Sequence, residues 1–592
     1  MKVKKLIVPL LSLSVLLPTA VNVLAAPKVP SIEKVEFMGM EGPKTPKQQN
    51  DMYSSASAQV TYSDGSVKSF PLSYELMFKP GDVINGKTAG ATYDADGNVI
   101  MDMKTDPNNP KPYVSDAPDS NSLINVKGKS GNLYLVNHYE SVDSNLGNLP
   151  KSMALNTVKQ DKKTGKLTVT DINPIDFSKD GGIWTPCAGS LSPWNTHLGS
   201  EEYEPDAKAH ELNQENSSVT QFARNFSKDP AMIGNPYSFG YMPEVSVSPS
   251  GKTTAVKHYS MGRLSYERVI TMPDNRTVYY GDDGGYTMLF MYVADKERDL
   301  SAGSLYAAKW NQTSEQNGGS AKLEWIKLGH ATDKEIKELA NKVKFSDMFE
   351  TTTDEAYALA HGFKKVKTQS SGGKEEWLKL KPGTEKAAAF LESRRYGALL
   401  GATAEFNKME AVDVNKKDNK VYVAMSGVKG GMEANAKDPV DDIRLPKVSA
   451  GGIYEMNMAK KQKDKKGQAI NSDYVASTMN GVVFGEDLAE KDSRGNTARE
   501  DKIANPDNIV YSEEMRTLFI AEDSGMHTNN FVWAYNIDTK KLSRIASVPE
   551  GGEATGLQTI NNLNGHSYMM LSAQHPGYVG YLKGLPVFPE KK

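Results

Sequence analysis

The feature that most constrains the fold of this 592-residue chain is a faint recurrence: an acid, a strand, a turn and a second strand. Glu244 precedes an apolar-alternating run, then Ser-Pro-Ser-Gly (248–251) and a second run reaching His258. Glu267 precedes another such pair, broken at Pro-Asp-Asn (273–275) and ending at Asp282-Asp283. Glu410 and Asp507 open two more, the last ending at Glu522-Asp523. The acid stands about 9–11 residues before the second strand each time. Radially repeated antiparallel units of this kind suggest the blades of a β-propeller, in which equivalent acids converge at one mouth of a central channel. Carboxylates gathered there would repel one another and lose solvation, a conflict that a cation resolves. The alternative is that the acids cap strands at the surface, and periodicity alone leaves both open.

Short aromatic-rich or alternating runs continue to the C-terminus, so the chain reads as all-β. Helical patterns concentrate at 333–343, 354–361 and 385–400, which predicts one helical insertion around 333–400. No regular repeat signature of the common propeller families is present. Lys2, Lys4 and Lys5 followed by the apolar stretch 6–24, with Val23 and Ala25 at the small-residue positions, read as a Sec-type signal peptide cleaved after Ala25. The reading is therefore an exported protein, periplasmic or secreted, with residues 26–592 forming a single domain. With 70 basic and 73 acidic residues and no long basic run, nucleic acid is not an expected partner. No later stretch is apolar enough to span a membrane, and a monomer is expected.

The single cysteine, Cys187, cannot form an internal disulfide and is free, intermolecular or a metal ligand. It lies in GGIWTPCAGSLSPWNTHLGSEEY (181–203), a loop-rich stretch that also holds His197, Glu201 and Glu202. A thiol with carboxylates suits iron or another borderline metal, whereas oxygen-only sets suit calcium. No second cysteine is available for a structural zinc site. Serine-hydrolase, Walker and dinucleotide signatures are missing, which disfavours those enzyme classes. His138 and His258 end strands and read as wall residues, and His575 is expected to close the last unit near the axis. Asp282-Asp283 and Glu522-Asp523 read more readily as turn caps than as ligands.

Cys187-Ala188-Gly189, followed by Pro193-Trp194 and Glu201-Glu202, resembles the PhoX-type alkaline phosphatases. Asn137-His138 with Glu140, Met261-Gly262-Arg263 with Glu267, Gly281-Asp282-Asp283, Glu410 and Gln574-His575-Pro576-Gly577 match in the same order, from about residue 130 onwards. The resemblance implies a six-bladed propeller with iron and calcium at its axis, hydrolysing small phosphate monoesters and some diesters. It implies Cys187, Glu202 and Glu267 as iron ligands, with Glu140 a further ligand, and Glu244, Glu410, Asp507 and Asn508 as candidates for calcium. Lys408 and Arg263 are the candidates for holding phosphate oxygens. From the sequence, Arg263 could equally pair with Glu267 four residues on.

The chain departs from the family pattern at several places. A tyrosine is inserted before Glu140, His197 stands in place of Trp, Asn195 in place of Gly and Lys408 in place of Arg, and a twin-arginine leader is missing. Lysine can balance phosphate charge but lacks arginine's bidentate fork. Those changes keep two alternatives in view: a calcium-stabilised, non-catalytic binding propeller, and another propeller metallo-hydrolase such as a phosphotriesterase or lactonase.

Overall fold

The computed structural model describes residues 30–126, 132–142 and 144–589; the signal-peptide reading falls outside them. The fold is mostly β, built from antiparallel sheets. Pro118–Asn125, Leu133–Tyr139, Ser152–Gln160 and Leu167–Pro174 form one four-stranded sheet. Ser190–Leu191, His197–Leu198, Met242–Val247 and Thr253–His258 form the next, and Pro506–Ser512 to Leu542–Glu550 another. In the last, Glu553–Leu563, His566–Gln574 and Tyr578–Lys583 are completed by Ser73–Phe78 from the N-terminal region. That closing strand lies outside the stretch where the family resemblance is legible.

The two central groups do not stand apart as separate blades. Tyr266–Thr271 through Ser320–Thr332 and Phe406–Asn415 through Val475–Phe484 merge into one nine-stranded sheet. Within it, Thr277–Thr287 also pairs with Phe406–Asn415, so eight strands close into a ring. The ninth strand, Tyr266–Thr271, pairs with Thr277–Thr287 alone and stands at the edge of the ring.

The segment 333–400 is not purely helical, as periodicity had predicted. Helices Asp333–Ala340, Glu355–Ala360, Glu385–Leu391 and Ser393–Leu400 surround a three-stranded sheet of Phe349–Thr352, Glu375–Leu380 and Lys364–Lys367. The lysine- and glutamate-rich strands leave one face in water, and their alternation is too polar to stand out from the helical runs beside them. The insertion shares a hydrophobic core with the main sheet: Ile336, Phe345, Phe390 and Leu391 pack with Tyr266, Tyr280 and Phe290.

The local detail that positions the site is a set of β-bulges. Where the first two strands of a group pair, two residues of the first strand face one of the second. The extra pairs are Asp119-Ser120, Glu267-Arg268, Glu410-Ala411, Asp507-Asn508 and Gly556-Leu557. A bulge bends its strand and turns a side chain that would otherwise lie on a sheet face. In four of the five the first of the two residues is an acid, so the bulges redirect carboxylates rather than hydrophobic groups.

Candidate metal centre

Three overlapping sets of ligand atoms gather at these bulges. Asp119, Glu140 and Cys187 form one set, Cys187, Glu202 and Glu267 a second, and Glu267, Asp283 and Glu410 a third; within each, one ligand atom per residue lies within 4.8 Å of the others. Cys187 and Glu267 are shared, so the sets make one continuous seam of a thiol and six carboxylates. Its members are at least nine-tenths buried, apart from partly buried Glu140. Asp507, Asp523 and Glu553 flank it closely enough to act on its charge.

The Cys187 loop has no regular structure and is held by hydrogen bonds. Cys187 N–H donates to Ser200 Oγ at 3.0 Å, and Sγ lies 3.1 Å from Asp119 Oδ2. Its carbonyl accepts from His138 Nδ1. With that proton on Nδ1, His138 Nε2 accepts from His197 Nε2 at 2.6 Å, and His197 Nδ1 accepts from Ser122 Oγ at 2.8 Å. Burial keeps both imidazoles neutral, lowering His138 to about 4 and holding His197 well below the usual imidazole range. The two histidines are thus a wall behind Cys187.

Of the adjacent pair, Glu202 joins the seam and Glu201 turns away. Glu201 accepts from Lys257 Nζ at 2.8 Å and from the N–H groups of Trp184, Gly240 and Tyr241. Gln574 Nε2 bridges Glu140 at 2.8 Å and Asp119 at 3.3 Å. Asn508 donates to Asp507 at 2.6 Å and to Thr555 at 3.0 Å. Lys408 lies 3.0 Å from Glu410 and 3.7 Å from Asp283, with its side chain 34% exposed, so it reaches the seam from its open side. Its backbone φ of +50° is unusual for a lysine, a departure of the kind found at functional sites.

Two expected site residues are not brought to the seam. Glu244 sits on the third strand of its sheet rather than the first, because the short strands Ser190–Leu191 and His197–Leu198 precede it. There it accepts from Trp194 and Thr196 and pairs with His258 at 2.9 Å. His258 also pairs with Asp333 at 2.8 Å, which makes it a tie to the insertion. Arg263 neither points at the seam nor pairs with Glu267; its guanidinium donates to the carbonyls of Phe239, Pro205 and Pro236. His575 is about half exposed beside Asp116.

The residues not anticipated are Asp119, Asp283, Asp523 and Glu553. Asp119 and Glu553 stand at first-strand entries, as Glu267 and Asp507 do, so the same acid-before-strand signal would have found them; Glu410 lies in the middle of its strand, Phe406–Asn415. Asp283 lies within the second strand Thr277–Thr287 and Asp523 directly follows Thr517–Glu522, where the sequence alone suggests turn caps. Their neighbours are the structural members of each pair. Glu522 accepts from Trp533, Ala504 and Phe531, and Asp282 is held by Arg394 at 2.7–3.0 Å.

Arg394, fully buried in the insertion, also pairs with Glu204 and so ties together the segments carrying Glu202 and Asp283. Arg394→Ala would leave Asp282 buried without its counter-charge. It is expected to destabilise the fold by about 3–5 kcal/mol, as for a broken buried ion pair, read from urea unfolding.

Without counter-ions the seam is electrostatically frustrated. Burial is the main cause that raises Asp119 to about 6 and Glu140 to about 7, with neighbouring carboxylates adding to it for both. Burial and mutual repulsion push Glu202, Glu267 and Glu410 well above the carboxylate range, and Cys187 well above the thiol range. Asp283 is the exception. Burial opposes its ionisation too, but Lys408 and hydrogen bonds from Glu202 and Tyr203 outweigh it. Glu267 Oε2 is buried with no hydrogen-bond partner. An orphaned carboxylate oxygen, a buried thiol and mutually repelling acids are the donor set a multivalent cation fits.

A family model described as alkaline phosphatase PhoX matches residues 164–577. Pseudomonas fluorescens PhoX in complex with vanadate, a transition state analogue, superposes with a TM-score of 0.57 at 16% identity, over 91% of this chain and 98% of that one. The periplasmic gluconolactonase PpgL of Pseudomonas aeruginosa gives a TM-score of 0.28 at 12% identity, over 88% of this chain and 97% of that one. A putative 6-phosphogluconolactonase from Bacteroides uniformis gives 0.27 at 11%, over 78% and 96%. Superpositions that weak do not bear on the fold. No curated protein matches the sequence.

Proposed function

Because this chain belongs to the PhoX alkaline phosphatase family and is a phosphoric ester hydrolase of that kind, we propose that it hydrolyses small phosphate monoesters, and some diesters, at the buried thiol–carboxylate seam. The observation that carries the reading is the seam itself: ligand atoms of Cys187, Glu202, Glu267, Asp283 and Glu410 within reach of shared cations, with Lys408 on the open side. Cys187, Asp119, Glu140, Glu202 and Glu267 would hold iron. The oxygen-only flank of Asp283, Glu410, Asp507, Asn508 and Glu553 would suit calcium. Bound there, such ions supply charge neutralisation for phosphoryl transfer and lower the pKa of a bound water.

The protein's own groups do the positioning. Gln574 fixes Glu140 against Asp119, the histidine wall fixes the Cys187 carbonyl, and Tyr203 donates to Asp283. Lys408 offers a cation to a phosphate oxygen as a point charge, in the place where the family's arginine would offer two parallel bonds. Burial of the seam keeps bulk water from screening these interactions.

The first strands of six antiparallel groups contact one another in succession and return to Pro118–Asn125. We read them as the inner strands of a six-bladed propeller in which two blades are fused. The lysine-led apolar N-terminus supports an exported protein, and small phosphorylated molecules are the proposed partners of a monomer.

The test is elemental analysis of the purified protein together with turnover of p-nitrophenyl phosphate. Iron with calcium, and turnover that disappears with the metals and returns with them, supports the reading. Calcium alone with no turnover after iron is supplied would sink it in favour of a binding scaffold. Lys408→Ala is expected to lower kcat/KM roughly 10- to 100-fold, the range of a charge-assisted hydrogen bond worth about 1.5–3 kcal/mol. Its metal content should be unchanged.

A further inference from the structure

Tyr203 directly follows Glu202 and is oriented against the habit of a surface tyrosine, which buries its ring and leaves its hydroxyl in water. Here the hydroxyl donates to Asp283 Oδ2, on a residue only 1% exposed, while Tyr203 as a whole is 48% exposed. What reaches solvent is therefore the ring. Its backbone lies in the left-handed region at φ +46°, a conformation disfavoured for a bulky side chain. Two hydrogen bonds hold it there: Tyr203 N–H donates to Ser265 Oγ at 2.8 Å, and its carbonyl accepts from Trp184 Nε1 at 2.9 Å. Strain fixed in this way by the surrounding structure is found at active sites and ligand clamps. Lys408, itself at φ +50°, meets the other oxygen of the same carboxylate, Asp283 Oδ1, at 3.7 Å. Tyr203 and Lys408 thus flank one seam carboxylate, both from strained backbone.

The seam side is closed by buried ligands, so an ester whose phosphate meets Lys408 extends its leaving group outward, past this ring. The rest of the rim segment decides which leaving groups suit it. Glu204 pairs with Arg394, the Pro205 carbonyl accepts from Arg263, and Asp206 pairs with Arg395 at 3.1 Å. The polar groups of 204–206 are therefore spent on arginines, which also hold the segment rigid. A sugar or polyol would find few free hydrogen-bonding groups there, whereas a flat aromatic group needs only a ring face to stack on. A platform already fixed in place costs little ordering on binding. We propose that Tyr203 is a specificity-determining residue, a stacking platform that favours phosphate esters with aromatic leaving groups, aryl or nucleoside, over esters of aliphatic alcohols. The proposal deepens the phosphatase reading and rests on it for the place of the phosphate.

The test compares wild type, Tyr203→Leu and Tyr203→Phe, all metal-loaded. The readout is the ratio of kcat/KM for phenyl phosphate to that for glycerol 2-phosphate, because loss of the hydroxyl's hold on Asp283 lowers both rates and cancels in the ratio. The ratio is expected to fall roughly five- to tenfold in Tyr203→Leu, the size of one aromatic pair, and to stay within about twofold of wild type in Tyr203→Phe, which keeps the ring. A ratio unchanged in Tyr203→Leu overturns the proposal. So does an equal fall in both variants, because the hydroxyl and not the ring would then set the preference. Calorimetric binding of phenylphosphonate and methylphosphonate, which are not hydrolysed, separates this proposal from the phosphatase reading. Tighter binding of the phenyl compound to wild type, with the difference lost in Tyr203→Leu, supports the platform even if neither ester is turned over, a result that would sink only the phosphatase reading. Equal binding of the two phosphonates to wild type overturns the platform whatever the turnover.

Discussion

Gly281→Ala is expected to abolish the metal centre while leaving most of the fold in place. Gly281 faces the Glu267-Arg268 bulge, between the pairs Tyr280–Val269 and Asp282–Tyr266. A Cβ at this position would lie 1.9 Å from the Glu410 carbonyl oxygen, 2.5 Å from that of Met409 and 2.6 Å from Glu267 Cβ. None of these is the end of a flexible side chain, so no rotamer change relieves the clash. The strands carrying Glu267 and Glu410 must move apart, and both residues belong to the seam. Overpacking of this sort costs about 1–3 kcal/mol of stability. A displacement of about 1 Å in a catalytic constellation costs about 100-fold in rate. Metal content and p-nitrophenyl phosphate turnover are therefore expected to fall together, turnover by at least about 100-fold. Gly525→Ala, where an added Cβ meets nothing within 4 Å, serves as the neutral control. A Gly281→Ala protein with full metal content and turnover would mean that the bulges do not set the ligand positions.

The same bulges explain how much of the site could be read from the sequence. An acid just before a strand is a one-dimensional signal, and it located Glu267, Glu410 and Asp507 because each of those strands is the first of its group. It misplaced Glu244, whose strand resembles theirs, because the two-residue strands before it carry no periodicity to show that the group had already begun. It could have found Asp119 and Glu553, but not the reason their side chains converge. A bulge is a property of pairing between two strands, and neither strand records it alone. Closure of the central strands into a ring depends on pairing between Thr277–Thr287 and Phe406–Asn415, more than a hundred residues apart, and left no local trace. Arg263 shows the limit of a motif match in the other direction. The residue is where the resemblance puts it, but main-chain carbonyls of Pro205, Pro236 and Phe239 satisfy it, and those contacts come from loops without a pattern. The Cys187 segment was legible because a thiol, two adjacent carboxylates and two tryptophans within one short loop form an unusual chemical combination.

Stripping the protein of metal is expected to invert the pH dependence of its stability. In the metal-free fold Asp119 titrates at about 6 and Glu140 at about 7, against ordinary values near 4, and Glu202, Glu267 and Glu410 titrate higher still. The folded chain then holds protons that the unfolded chain has released. Stability accordingly falls as pH rises from about 4 through 7. At about 1.4 kcal/mol per pKa unit, Asp119 and Glu140 each remove about 3 kcal/mol by pH 8. The two together approach the whole stability of an ordinary domain, about 5–15 kcal/mol. Asp283 works in the opposite sense, because its carboxylate is held below the ordinary range and its contribution is lost only at pH values under 4. With cations bound the carboxylates are ionised and neutralised, and it is acid that destabilises by displacing the metal. Melting temperature measured from pH 5 to 8 should therefore fall for the chelator-treated protein, while the metal-loaded protein holds level or rises, with the gap widest at pH 8. Parallel curves for the two forms would show that the buried carboxylates do not depend on cations, and the electrostatic argument for the metal centre would fail.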